Sequence, residues 1–252
     1  FIYKFQKEKP IVLQIQNYIG KEILKKYNLA GIPFYILEKK YPKKFENIIV
    51  VSEVLNKRWG INGKVIPNGI ERFEKDTRIG SYMAFLGRLD INQKGIDILL
   101  RSLEGLNNIE LWVAGDGKDK SKFLKIIKDV PNIKYLGKVI GKQKYDFIKN
   151  SKFIVMPSRF EGQPLVILEA AAMGKPLIVS DIPELSYVVE NGFGLSFKSE
   201  NPEDLKDKII TLWKNEDMIL QMGKKAIEYA KNFTWDKLAI EYEKFLLEIV
   251  NK

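Results

Sequence analysis

From residue 82 onward, six short β-rich runs alternate with helical stretches, and that alternation decides what the chain can fold into. The runs are YMAFLG (82–87), IELWVAG (109–115), IKYLG (133–137), KFIVMPS (152–158), PLIVS (176–180) and GLSF (194–197). Helical patterns fill the gaps near residues 95–106, 119–129, 141–150, 164–173 and 184–190. Such alternation predicts an α/β fold with a parallel sheet covered on both faces. Ligands of these sheets sit outside the carboxyl ends of the strands, where the βα loops lie. Residues 201–252 carry no strand signal and read as three helices, the last with an apolar face at Leu238, Tyr242, Phe245, Leu246 and Val250. Upstream of residue 82 a weaker αβ pattern holds three candidate strands, IVLQIQN (11–17), NIIVVSE (47–53) and part of KVIPNGI (64–70).

Composition removes several chemistries. The 252 residues contain neither Cys nor His, so thiolate nucleophiles, imidazole acid–base catalysis and Cys or His metal ligation are excluded. No metal site is expected. No apolar run approaches the ~20 residues of a membrane span, and the opening FIYKFQKEKP has no signal core. The net charge of +10 is uneven: residues 1–75 hold 15 Lys/Arg against 7 Asp/Glu, leaving 27 against 25 for the remainder. That basic third suits either an anionic partner, such as lipid headgroups, or a merely solvated Lys-rich surface.

Three local patterns carry chemistry. The first is Glu169, which sits within the apolar run Leu165–Met173. Pro164 fits the start of a short helix and Gly174 its end. The helix neighbours of Glu169 at three and four residues are Leu165, Val166, Ala172 and Met173. A carboxylate on such a core-facing stripe is costly unless something hydrogen-bonds it. The second pattern is Arg88 with Lys94, in the loop that follows strand 82–87 after Gly87. Two cations beside a helix N-terminus suit a pyrophosphate, Arg as a planar fork and Lys as a point charge. The third is EGQPLV (161–166), which supplies backbone amides at the start of the next helix but one along the same edge, able to hold sugar or phosphate oxygens.

Other readings of these residues fail. Eight helical residues would separate Glu161 from Glu169 by about 12 Å, beyond the roughly 5–9.5 Å of a glycosidase pair. AGDGKDKS (114–121) gives only G-x-G, and GKVIGKQ (137–143) is too short for a Walker loop. Charge alone is compatible with nucleic acid, but no recognition motif supports it, so no nucleic-acid partner is expected.

Taken together, GRLDINQKGIDILL, LWVAGDG, YLGKV, MPSRFEGQPLVILEAAAMGKP and SDIPELSYVVENGFGLSF resemble, in order and spacing, the C-terminal domain of glycosyltransferase family 4. The resemblance covers residues 48–250, with VVSEVLNKRWG and KVIPNGI similar to the end of that family's N-terminal domain. It implies a GT-B fold and retaining, nucleotide-sugar-dependent transfer without a metal or other cofactor, the nucleotide-diphosphate sugar being a co-substrate. By resemblance, Arg88 and Lys94 bind the donor diphosphate, Glu161 holds the donor sugar, Glu169 the ribose, and the backbone around Val139 the base. The catalytic set is then Arg88, Lys94 and Glu161, and the donor-binding set Gly87, Val139, Gly162, Gln163, Leu165, Val166 and Glu169. The family's N-terminal domain is more than twice as long, so the chain reads as either a fragment or a reduced enzyme. Where many members carry a His after the strand matching IVLQIQN, this chain has Gln16 or Asn17.

The expected organisation is a short acceptor-side domain over 1–76, a Rossmann-like donor domain over 77–234, and a last helix (235–252) returning to the first. The expected function is transfer of a sugar to an unidentified acceptor in the cytoplasm. A lipid-linked acceptor at a membrane surface remains open through the basic third, with Lys39, Lys40, Lys43 and Lys44 beside Tyr35, Tyr41 and Phe45 as the contact. The alternative is a nucleotide-sugar-binding module without transfer. An epimerase or phosphorylase is a third reading, for which no supporting acid or cofactor-lysine motif is found.

Overall fold

The computed structural model of the chain describes residues 9–72 and 78–251. Both the first eight residues of the opening and the expected boundary at 76/77 lie outside the described residues. The chain divides into two compact units. One comprises Phe1–Gly69, Glu161–Gln163 and Phe233–Lys252, the other Ile70–Phe160 and Pro164–Asn232.

In the first unit, β1 (Val12–Ile15), β2 (Asn47–Val50) and β3 (Lys64–Val65) form a parallel sheet with β2 in the middle. Its helices among these strands are α1 (Glu22–Tyr27), α2 (Ile32–Lys40) and α3 (Glu53–Trp59). Ser52 starts α3 by accepting the Leu55 N–H on its side chain, and Gly60, in the left-handed region, ends it. The core of this unit is Ile15, Phe45, Ile48, Val50, Leu55 and Trp59.

The second unit runs β4 (Tyr82–Leu86), α4 (Ile91–Lys94), α5 (Ile96–Ser102), β5 (Leu111–Ala114), α6 (Lys120–Ile127), β6 (Ile133–Tyr135) and α7 (Gly141–Lys149). It continues with β7 (Ser151–Met156), α8 (Leu165–Ala172), β8 (Leu177–Ser180), α9 (Ser186–Glu190), β9 (Gly194–Phe197), α10 (Pro202–Lys214) and α11 (Glu216–Ala230). The final helix, α12 (Trp235–Val250), belongs to the first unit, where Tyr242 Oη accepts a hydrogen bond from Gln14. All six strands expected from residue 82 onward form; the last keeps its expected bounds, four are trimmed, and β7 starts one residue early and stops two short. The single turn α4 has no counterpart in the expectation, because four residues carry no readable period.

The six strands are parallel, in the order β6-β5-β4-β7-β8-β9. Every residue of β4 and β8 is buried, as expected when helices cover both sheet faces and the strands read as continuous apolar runs. Met83, Phe85, Phe153, Val155 and Ile178 form the centre of this core. The chain leaves β4 for β5 on one side and later returns to β7 on the other. The carboxyl ends of β4 and β7 are therefore the switch point at which a sheet of this type opens a crevice.

One close approach across that crevice is tight enough to test. Gly95 has φ +60°, and a Cβ there would lie 1.9 Å from the Pro157 carbonyl oxygen. Gly141 has φ +51° with nothing within 4 Å of the same position. Gly141→Ala should cost about 1–2 kcal/mol, the strain of a left-handed non-glycine residue. Gly95→Ala carries that strain plus the steric clash, and should cost clearly more in urea unfolding. Equal losses would mean that the 157 loop does not press on Gly95.

Candidate functional site

At the switch point lies a cavity of about 430 Å³, walled by the carboxyl ends of β4 and β5, the loop after β6, α7 and the first turns of α8. Of the residues singled out from sequence, Gly87, Arg88, Val139, Leu165, Val166 and Glu169 line it. Gly115, Asp116, Lys138 and Lys144 line it as well, and sequence reasoning passed over them. Lys138 was legible from its place in the loop after a strand on the binding edge. Lys144 was not, because nothing in a Lys-rich first helical turn says which lysine turns inward.

Arg88 is exposed, and its Nη2 donates to Gln93 Oε1 at 2.5 Å. Gln93 is buried, so the guanidinium has a fixed anchor. Lys94 is not a wall residue, but its stem runs beside one. Its Cδ lies 3.8 Å from where a Cβ on Gly87 would be. Both Gln93 and Lys94 stand on α4, which at one turn is far too short to persist alone. Side chains hold it: Asp90 Oδ1 accepts the Gln93 N–H at 3.3 Å, and Asp119 Oδ2 accepts the Ile91 N–H at 2.8 Å. Gly95 closes the turn in the left-handed region.

Helix α8 shows a different face from the one expected. Ile167, Leu168, Ala170 and Ala171 are buried, while Leu165, Val166 and Glu169 are cavity wall. Glu169 therefore lies on the wall stripe rather than on the core stripe. It is still only 8% exposed, and its carboxylate is met by Lys144 Nζ from α7 at 2.5 Å. The ion pair supplies the partner that a nearly buried carboxylate requires.

The cavity wall carries three cations, Arg88, Lys138 and Lys144, against two carboxylates, Asp116 and Glu169. The Gly117 amide, and after it the Lys120 ammonium, hold the Asp116 carboxyl below the usual range. Asp116 is thus anionic near neutrality, and the three cations still outnumber the two carboxylates, which suits an anionic ligand group. A larger cavity of about 770 Å³ lies along α7, but Asp146 is the one charged residue among those lining it. Size alone does not select a site for an anion, and the smaller cavity has the charge.

Glu161, Gly162 and Gln163 are not on this wall. They belong to the first unit, with Glu161 buried. A Cβ on Gly162 would lie 2.0 Å from the Gln16 carbonyl oxygen, so glycine alone permits that approach. Asn68 donates its N–H to Gln163 Oε1 at 2.5 Å and its side-chain amide to Gln163 O at 3.1 Å. The expected run of amides from 161 to 166 is thus divided. Gly162 lies against the exit of β1 and Gln163 is bonded to the exit of β3, while Leu165 and Val166 stay on the cavity wall. Among the described residues no helix is long and apolar enough to cross a membrane, and no cluster of three or more acidic side chains is placed to hold a metal ion.

Comparison with known proteins bears on what this arrangement serves. The family of group 1 glycosyl transferases matches residues 80–215. An uncharacterised glycosyltransferase of Methanocaldococcus jannaschii is 32% identical over 215 residues, covering 81% of this chain and 60% of the relative. The phosphatidyl-myo-inositol mannosyltransferase of Mycobacterium leprae is 25% identical over 210 residues, covering 76% of this chain and 56% of the relative. The chain thus spans well under two thirds of the length of these relatives. Among solved structures, sucrose-phosphate synthase from Thermosynechococcus elongatus superposes with a TM-score of 0.82 at 18% identity, over 98% of this chain and 71% of that one. HepE from Anabaena, solved with UDP-glucose, gives 0.81 at 17% identity, over 98% and 74%. These likenesses show an α/β fold of the GT-B type, with Rossmann-like parallel sheets. The chain belongs to the group 1 glycosyl transferases.

The Lys144–Glu169 pair makes a separable prediction. Lys144→Met leaves a nearly buried carboxylate without its cation and should cost about 1–3 kcal/mol in urea unfolding. Lys144→Met combined with Glu169→Leu should cost less than the sum of the two single changes, since an apolar pair can replace a buried ion pair at little loss. Strict additivity would mean that the two side chains do not interact.

Proposed function

We propose that the chain is the donor-binding part of a retaining glycosyltransferase that takes a nucleotide-diphosphate sugar into the cavity at the β4–β7 switch point. One observation carries this reading: Arg88, with the Lys94 stem beside Gly87, and the nearly buried Glu169 meet at one cavity of a family member. The diphosphate lies on the Arg88–Lys94 side, the ribose hydroxyls donate to Glu169, and the base rests at Val139. TarM of Staphylococcus aureus, solved with UDP, and HepE, solved with UDP-glucose, support a nucleotide donor. Family membership favours transfer over a binding module without it.

In the transfer, the bond between the anomeric carbon and the phosphate oxygen breaks, and its electron pair goes to the diphosphate. Arg88 and Lys94 stabilise the charge that grows there, the term that dominates many transfers of this kind. The acceptor hydroxyl oxygen bonds the anomeric carbon on the face being vacated, and its proton passes to the departing phosphate oxygen. No metal and no protein base are required, because the two cations take the role a divalent ion would have.

The acceptor side draws on α2. None of this helix's residues is buried, although Phe34, Ile36 and Leu37 are large and apolar, and Lys39 and Lys40 form its last turn. An apolar helix left uncovered beside lysines suits the surface of an anionic membrane, with the enzyme cytoplasmic and peripheral and the acceptor lipid-linked. The aromatic flank differs from the sequence expectation. Tyr41 and Phe45 pack edge-to-face at 5.4 Å, with Phe45 in the core, and Tyr35 sits under a lysine, Lys39, at 4.8 Å.

Calorimetry with UDP, GDP and ADP tests the donor site. Lys94→Ala should weaken the best diphosphate by about 1.5–3 kcal/mol and leave the matching nucleoside unchanged. Glu169→Gln should weaken both. Equal weakening of nucleoside and diphosphate by Lys94→Ala would remove the phosphate assignment, and turnover abolished by chelation and restored by Mn²⁺ would remove the metal-free scheme. Sedimentation with vesicles that do or do not contain phosphatidylserine tests the acceptor side; equal, negligible binding to both would point to a soluble acceptor.

A further inference from the structure

The strongest unassigned feature of the second unit is a guanidinium with no donor to spare. Arg159 lies in the loop after β7, and its side chain is 25% exposed. Nη1 donates to the Ile91 carbonyl at 2.6 Å and to Asp97 Oδ1 at 3.0 Å. Nη2 donates to Asp97 Oδ2 at 3.0 Å and to Glu200 Oε2 at 2.9 Å, and Nε donates to Glu200 Oε1 at 2.6 Å. An arginine has five N–H donors, and each of these has an acceptor. Its backbone N–H makes a further bond, to the Gln93 carbonyl at 2.8 Å.

Those acceptors are not scattered. Ile91 O and Gln93 O belong to α4, the turn that carries Lys94 and the anchor of Arg88, and Asp97 opens α5 directly behind it. Arg159 therefore grips both the start and the third residue of a turn that cannot stand alone. It does so from the loop that leaves β7, across the switch point, where Gly95 already meets the Pro157 carbonyl. The far side of the grip is Glu200, which sits at φ +63°, a conformation unfavourable for a residue with a side chain. The two-pronged bond from Arg159 holds its carboxylate. Burial pushes the Asp97 carboxyl up, but the Arg159 bonds outweigh it and hold the group below the usual carboxylate range, so the pair stays ionised near neutrality.

We infer that Arg159 is a positioning residue for the phosphate-binding loop, fixing α4 so that Arg88 and Lys94 are aimed before the ligand arrives. It touches no ligand itself. A lysine in its place keeps the charge but offers three donors from a single point, and so cannot reach two carboxylates and a carbonyl together. This inference rests on the donor-site reading above, and its test is arranged so that the two can fail separately.

The readout is the ratio of monophosphate to diphosphate dissociation constants, measured by calorimetry with the uridine, guanosine and adenosine pairs. A role in overall folding alone would lower the melting temperature and weaken nucleoside, monophosphate and diphosphate alike. Positioning predicts instead that Arg159→Lys lowers the ratio on the order of tenfold, as misplacing a binding group can do, with nucleoside affinity unchanged. In a Lys94→Ala background the same change should move the ratio by less than about twofold, because residues acting through one another are not additive. Asp97→Asn, which keeps Arg159 but removes its forked partner, should move the ratio in the same direction and serves if Arg159→Lys does not fold. An unchanged ratio in both variants, alongside a lowered ratio in Lys94→Ala, would overturn the inference while leaving the donor site intact. If the wild-type chain shows no gain from the second phosphate with any base, the donor-site reading falls and the inference with it.

Discussion

Strand β4 is buried along its whole length, with β5 hydrogen-bonded on one side and β7 on the other. Much else follows from that placement. A strand with two parallel neighbours and two covered faces can offer ligands only its carboxyl end. The chain turns toward β5 on one side and toward β7 on the other, so the loops at 87–95 and 157–160 emerge next to each other. Everything assigned to the phosphate end of the site stands on the first of those loops, and the residue that grips it stands on the second. The burial of Phe85, Phe153 and Val155 is thus the condition for two loops distant in sequence to form one edge of a cavity.

The cavity combines two kinds of electrostatic device. On α8 a carboxylate of low exposure is paired with a lysine of α7. On the β4 side, cations sit on a loop tied down through main-chain and carboxylate contacts. Pre-set cations cost no reorganisation when negative charge develops on a leaving group, which is why rigidity of the loop matters as much as its charge. A loop free to move would spend part of each phosphate contact on its own ordering. The network around Arg159 removes that expense.

The sequence was informative where chemistry recurs with a short period or a fixed spacing. Six strands were legible because fully apolar runs such as YMAFL and FIVM have few other uses, and the Arg88/Lys94 and Glu161/Glu169 spacings were visible directly. What was not legible depended on contacts between elements. Glu169 read as core-facing because helical periodicity cannot say which of two apolar stripes meets the sheet and which meets a cavity; the exposed Leu165 is what separates them. Lys144 and Gln93 gain their roles only when α7 and α8, or Arg88 and α4, are brought together. The turn α4 is too short to have a period at all. Likewise the grouping of Glu161–Gln163 with the first unit rests on Gln16 and Asn68, neither of which announces a partner by its own residue type.

The central claim is that the switch-point cavity, rather than the larger one along α7, takes the nucleotide. A crystal structure of the chain soaked with the nucleoside diphosphate it binds best addresses this most directly. The account predicts phosphate oxygens within hydrogen-bonding distance of both Arg88 and Lys94, with ribose hydroxyls on Glu169. Nucleotide density between Tyr82, Trp112 and Asp146, with Arg88 and Lys94 untouched, would contradict it.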